Sequence, residues 1–253
     1  MVITSLQNQQ IKNIIALKDK KGRTEQNAYL VEGVKMVREA IALSQKVKLI
    51  IGLKEIVDTI EYSGETIYTD NKVLNKISDC ETCQGVFAVI EKPANEFCLP
   101  SSSCVLLDRV RDPGNLGTII RTSVAVGVKT IYLRDCVDAY SPKVVRSSMS
   151  GIYSVKLVKI ADEQIKQLAD KTTMISADMQ GKNLFEYTAP TKFCLCMGNE
   201  ANGISDLVKG LTKDFISIPM QNGIESLNVG VAYAVAIYNL INNKTWFICK
   251  IML

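Results

Sequence analysis

The chain has 253 residues, 47% of them apolar and 22% charged, with a formal net charge of +4 and no histidine. This composition excludes intrinsic disorder and any Ser-His-acid triad, and the length allows one large α/β domain or a small domain beside a medium one. No apolar run reaches the about 18 residues of a membrane span, and MVITSLQNQQIK lacks a signal-peptide core, so a cytoplasmic protein with reduced cysteines is expected.

Between Met1 and Arg23 the bases Lys12, Lys18, Lys20, Lys21 and Arg23 stand against Asp19 alone, so this segment carries the whole basic excess. It reads either as an arm that touches phosphates or as a solvated helix end. Leu6, Ile11, Ile14, Ile15 and Leu17 predict a helix over 5–18, and the polar stretch DKKGRTEQN predicts a turn. AYLVEG, VKLIIG, ETIYTD and QGVFAVIEK predict strands, with helices VKMVREAIAL, LKEIVDTI and DNKVLNKI between them. Residues 1–92 thus form a small α/β domain, and PANEFCLPSSS, 93–103, is the linker.

From 104 to 253 the alternation restarts. CVLLD, helix NLGTIIRTSVAVG and strand VKTIYL make a βαβ unit, and SPKVVRSSM is a helix with Ser141 at its cap and Pro142 in its first turn. VKLVKI, ADEQIKQLAD, TTMISAD, KFCLCMG, DFISIP and SLNVGVAYAVAIYNL continue strand by helix. The class is α/β, a mostly parallel sheet covered on both faces, which in its plain form is open and doubly wound. Ligands of such sheets sit beyond the carboxyl ends of strands, here the loops after Leu107, Met197 and Pro219.

In the first loop Asn115 is placed to cap a helix, and Arg121 stands among Ile119, Ile120, Val124 and Val126. A guanidinium there calls for a carboxylate, a phosphate or a partner subunit, with Asp108 and Asp112 as candidate mates, or it snorkels past its neighbours. In the second loop, MGNEANGIS, Glu200 can accept N–H groups or pair with Arg121. In the third, Ser226 is the default N-cap, flanked by Glu225 and Asn228. Cys80 and Cys83, with Cys98 and Cys104, are too unevenly spaced for a zinc site, and no metal is expected. The turn at Gly114 and Gly117 lacks a GxGxxG pattern, which leaves a nicotinamide enzyme, with Asp135 on the ribose, as a remote alternative. The apolar tail from Trp246 to Leu253 caps the core or covers a dimer surface.

The stretches DRVRDPGNLGTIIRTSVAVG, CLCMGNEANGIS and ISIPMQNGIESLNVGVAYAVAIYNL resemble, in order and spacing, the three motifs of the SpoU (TrmH-like) family of RNA ribose 2′-O-methyltransferases. AYLVEGVKMVREAI through GVFAVIEK is similar to that family's substrate-binding domain, related in fold to an RNA-binding ribosomal protein. The resemblance implies a deep trefoil knot of the SPOUT class in the second domain, a homodimer, and S-adenosyl-L-methionine as cofactor. It implies catalytic roles for Arg121, Asn115, Glu200, Ser226 and Asn228. Cofactor contacts fall on Met197, Gly198, Asn199, Gly203, Ile218, Met220, Ser226 and Leu227, and RNA contacts are expected at Lys12, Lys20, Lys21, Arg23, Arg109 and Arg111. Many relatives have serine where this chain has Gly230. The substrate implied is structured RNA, 23S ribosomal ahead of transfer RNA, and neither DNA nor membrane; a non-catalytic RNA-binding protein is the alternative.

Overall fold

The computed structural model describes residues 1–221 and 226–242, and its contacts divide the chain into two compact units. One holds Met1–Ala94 with Asp138–Ser154; the other holds Asn95–Val137 and the chain from Val155 onward. Glu225 and the tail from Trp246 lie outside the described residues.

In the first unit the basic N-terminal segment is part of the core, not an arm. Helix α1 (Gln9–Ala16) buries Ile11 and Ile14, which with Leu17 pack among Val73, Leu74 and Ile77. It starts later than predicted because Asn8 caps it, and the residues before Asn8 extend along the sheet, with the Ile3 N–H donating to the Tyr68 carbonyl. The predicted turn DKKGRTEQN contains a short helix, α2 (Lys20–Glu25). Then β1 (Ala28–Glu32), α3 (Val34–Ala42), β2 (Val47–Gly52), α4 (Lys54–Val57), β3 (Glu65–Tyr68), α5 (Asn71–Ile77) and β4 (Val86–Glu91) follow the expected alternation. The sheet order is β1-β4-β2-β3; β4 is antiparallel to both neighbours, and β2 is parallel to β3.

β5 (Cys104–Asp108), α6 (Pro113–Ala125) and β6 (Thr130–Arg134) make the expected βαβ unit. α7 (Pro142–Ser148) belongs to the first unit, where Arg23 meets Asp138 at 2.7 Å and Tyr140 lies against Tyr29. Pro142 occupies its first turn as expected, but Ser141 makes no side-chain cap bond. β7 (Lys156–Lys159), α8 (Asp162–Ala169), β8 (Thr173–Asn183), β9 (Phe193–Met197), α9 (Asp206–Leu211), β10 (Asp214–Ser217) and α10 (Val229–Asn242) complete the second unit. Sequence reading passed over α9, whose six residues are too few to establish a period.

The second sheet runs β10-β8-β9-β5-β6-β7, and every neighbouring pair is parallel. β5 and β9 are buried along their whole length, which is why both read as continuous apolar runs. Chain order moves outward from β5 through β6 to β7, then crosses to β8, steps inward to β9 and passes over β8 to the edge strand β10. Because β5, β9 and β10 all run parallel, the loops after them leave the same, carboxyl edge of the sheet.

Candidate active site

Asp112, not Asn115, caps α6: its Oδ1 accepts the Asn115 N–H at 2.8 Å. Asn115 therefore stands inside the first turn with its amide available to other loops. Its Nδ2 donates to Glu200 Oε1 at 2.8 Å, and its Oδ1 accepts from Asn228 Nδ2, also at 2.8 Å. Asn228 in turn caps α10, its Oδ1 accepting the N–H of Gly230 at 2.9 Å and of Val231 at 3.3 Å. The capping role expected of Ser226 thus falls to Asn228, and Ser226 is exposed. A Cβ at Gly230 would lie 3.2 Å from both Asn228 Oδ1 and Thr118 Cγ2, so the missing side chain suits the tight crossing of α10 over α6.

One buried amide therefore ties together the loops after β5, β9 and β10. Arg121 lies on the outward side of α6 with Thr118 and Ala125, while Ile119 and Ile120 are buried. Helical geometry explains its apolar sequence neighbours: adjacent residues point to different sides. No described residue makes an ion pair or hydrogen bond with its guanidinium. Asp108 and Asp112, the mates considered from sequence, serve elsewhere, and Glu200 pairs with Asn115 rather than Arg121.

Asp108, at the carboxyl end of β5, is fully buried. It accepts Arg134 Nη1 at 2.9 Å and the Ser205 N–H; Arg134 Nε donates to Asp162 Oδ1 at 2.8 Å. The hydrogen bond that Arg134 donates to Asp162 raises the guanidinium above its usual range, with Asp108 adding to it, and the same bond holds Asp162 below the usual carboxylate range. This network was not legible in sequence. Its three charges come from the end of β5, the end of β6 and the first residue of α8, and the strand order β5-β6-β7 brings them together.

Asp108 anchors one end of the 198–205 loop at Ser205, and the loop closes on itself at the other. Asn199 and Gly203 exchange backbone hydrogen bonds at 2.9 Å, and Asn199 Nδ2 donates to the Arg109 carbonyl at 3.0 Å. A Cβ at Gly198 would lie 2.2 Å from the Gly203 carbonyl carbon, so only glycine fits. Met197 is buried at the end of β9, and Ile218 is half-buried after β10. Met220 and Leu227, each 37% exposed, present apolar surface beside these polar loops. Apolar side chains next to close backbone suit a heteroaromatic ligand that would cover them, so the residues fit an adenosyl group.

Lys12, Lys20, Lys21 and Arg111 are exposed, and Arg109 is partly so. Arg23 is a correction. It is 4% exposed, donating Nη1 to the carbonyls of Leu17 and Lys18 at 2.8 and 2.6 Å and Nε to Asp138 at 2.9 Å. With its donors spent inside the first unit it is a structural residue, not a phosphate ligand.

Residues 102–238 match the family model described as the SpoU rRNA Methylase family, and residues 8–88 that of an MRM3-like substrate binding domain. The chain is 30% identical to the 23S rRNA (guanosine(2553)-2′-O)-methyltransferase of Bacillus subtilis, over 94% of this chain and 98% of that one. It is 27% identical to the 23S rRNA (uridine(2479)-2′-O)-methyltransferase of Streptomyces viridochromogenes, over 88% and 85%. The AdoMet-bound rRNA methyltransferase of Sinorhizobium meliloti superimposes with a TM-score of 0.87 at 26% identity, over 97% and 99% of the two chains. The chain belongs to the SpoU rRNA methylase family, whose members are RNA ribose 2′-O-methyltransferases.

Proposed function

We propose that this chain transfers a methyl group from S-adenosyl-L-methionine to a ribose 2′-hydroxyl of RNA, with 23S ribosomal RNA ahead of transfer RNA. The observation that carries the reading is the Glu200–Asn115–Asn228 chain of hydrogen bonds, which unites three loops at the carboxyl ends of one parallel sheet. The cofactor supplies an electrophilic methyl on a sulfonium; the protein's share is alignment and charge placement. Met197, Gly198, Asn199, Gly203, Ile218, Met220 and Leu227 hold the cofactor. Asn115, Glu200 and Asn228 keep its loops in register, and exposed Ser226 supports the ribose or the cofactor loop.

Arg121 clamps an RNA phosphate in bidentate fashion and orients the hydroxyl. A guanidinium stays protonated at working pH, so the hydroxyl proton leaves to another acceptor, the phosphate itself serving. Lys12, Lys20, Lys21, Arg109 and Arg111 add phosphate contacts that weaken as salt rises. The knotted threading of residues 104–253, its separation from residues 1–92 by the 93–103 linker, a ribosomal-protein likeness of the first domain and a cytoplasmic location belong to the same reading. So does a homodimer through the second domain. Val231 and Tyr238, 49% and 37% exposed and two turns apart on α10, give such a dimer an apolar face to cover.

Calorimetry with S-adenosylmethionine and mapping of 2′-O-methyl sites in RNA with and without the protein test the reading. Saturable cofactor binding and one lost methyl site are expected. RNA binding without cofactor heat would leave a non-catalytic RNA-binding protein. Arg121→Lys should lower turnover about a hundredfold, as loss of a positioned charged donor does; undiminished turnover removes Arg121 from the mechanism.

A further inference from the structure

The first unit contains a cavity of about 200 Å³ that the proposed catalytic reading does not use. It lies where β1 and β4 meet the first turn of α3, the loop before β4, and α7. Leu30 and Glu32, two apart on β1, point to the same face, and Phe87 is paired directly opposite Glu32. Leu30, Phe87 and Met36 make a buried apolar floor, and Met149 covers one side.

The rim is polar and partly fixed. Glu32 Oε1 accepts the Ser78 hydroxyl at 2.9 Å and the Gln84 N–H at 3.0 Å. Oε2 accepts the same hydroxyl at 3.0 Å, and the Cys83 thiol also bonds to this carboxylate, so Glu32 stands at the mouth as an acceptor of donors alone. Gln84 lies over Gly33, where a Cβ would come within 2.1 Å of its Oε1, so the glycine admits the side chain to the cavity mouth. Lys35 and Arg146 stand exposed on the rim, Arg146 Nη1 donating to Cys80 Sγ at 3.3 Å.

We propose that this cavity receives one unpaired nucleotide of the RNA substrate, its base on the Leu30–Phe87–Met36 floor and its phosphate at Lys35 and Arg146. The inference rests on the RNA reading above and adds a subsite to it. The lining also holds Asp79, whose charge is met by Lys18 at 2.7 Å, and a narrow apolar slot with an amide, an acceptor and two cations beside it matches an unstacked base better than a duplex, whose faces are hidden. A carboxylate at the mouth accepts N–H groups and repels carbonyls, so Glu32 favours bases with an exocyclic amine: guanine, adenine and cytosine. Uracil sets carbonyls on both sides of its only donor and is disfavoured.

The test uses the full chain with ¹³C-methyl methionine, titrated with each of the four nucleoside 5′-monophosphates and with inorganic phosphate. The Met36 and Met149 methyl resonances should shift with GMP, AMP and CMP and less with UMP. A Lys35→Ala, Arg146→Ala double variant, both sites being exposed, should bind about tenfold more weakly or worse, as loss of charged hydrogen bonds implies. Three results overturn the subsite: no shift with any nucleotide, the same shifts with phosphate alone, or unchanged affinity in the double variant. Calorimetry with S-adenosylmethionine on the same samples separates the two readings. Cofactor heat without methionine shifts sinks only the subsite; shifts without cofactor heat sink only the methyltransferase reading.

Discussion

Asn115 is the residue on which the candidate site turns, because among the described residues its amide is what links Glu200 to Asn228. Asn115→Ala removes two hydrogen bonds whose far partners, Glu200 and Asn228, are exposed to water, which costs about 0.5–1.5 kcal/mol of stability per bond. We expect methyl transfer to fall at least tenfold with RNA affinity nearly unchanged, measured by single-turnover assay and filter binding. Equal turnover in this variant would show that the loops hold register without it. Asp162 carries a pH consequence. Arg134 holds its folded pKa below the free value of about 3.9, so the pair's contribution is present above that value and is lost as pH falls through the folded one. Asp162→Asn should therefore flatten the acid limb of a stability–pH curve below about pH 4 and leave stability at neutral pH less affected by further acid.

At the scale of elements, α6 and α10 are coupled by more than apolar packing. Ser123 Oγ and Tyr233 Oη lie 2.6 Å apart with both side chains fully buried, and burial pushes the phenol well above its ordinary range. Tyr233→Phe strands the Ser123 hydroxyl and should destabilise by about 1–3 kcal/mol in urea unfolding. Ser123→Ala with Tyr233→Phe should recover part of that loss, since removing both partners leaves no orphan; strict additivity would rule the coupling out. The apolar periods of both helices were legible in sequence. Which side chains cap them was not: Asp112 is three residues from Asn115 and Asn228 two from Ser226, positions of equal capping propensity, and tertiary partners decide between them.

At the scale of the whole molecule, Asp138–Ser154 folds with the first unit although the sequence linker lies at 93–103. Arg23 and Asp138, 4% and 13% exposed, hold that segment. Arg23→Ala leaves a mostly buried carboxylate without its main partner and should destabilise the protein by about 3–5 kcal/mol, seen as an earlier transition in denaturant. Full stability in that variant would refute the structural role. The α/β class, nearly every strand, the three motif loops and the family are readable along the chain, because buried parallel strands and glycine-bearing turns leave local signals. Tertiary structure alone decided that Arg23 is internal, that Asp108 belongs to Arg134, and that Asn115 bridges Glu200 and Asn228. A charge or amide has the same sequence signature whether it faces water, caps a helix or meets a residue 113 positions away. Only strand order and helix crossing choose among those partners.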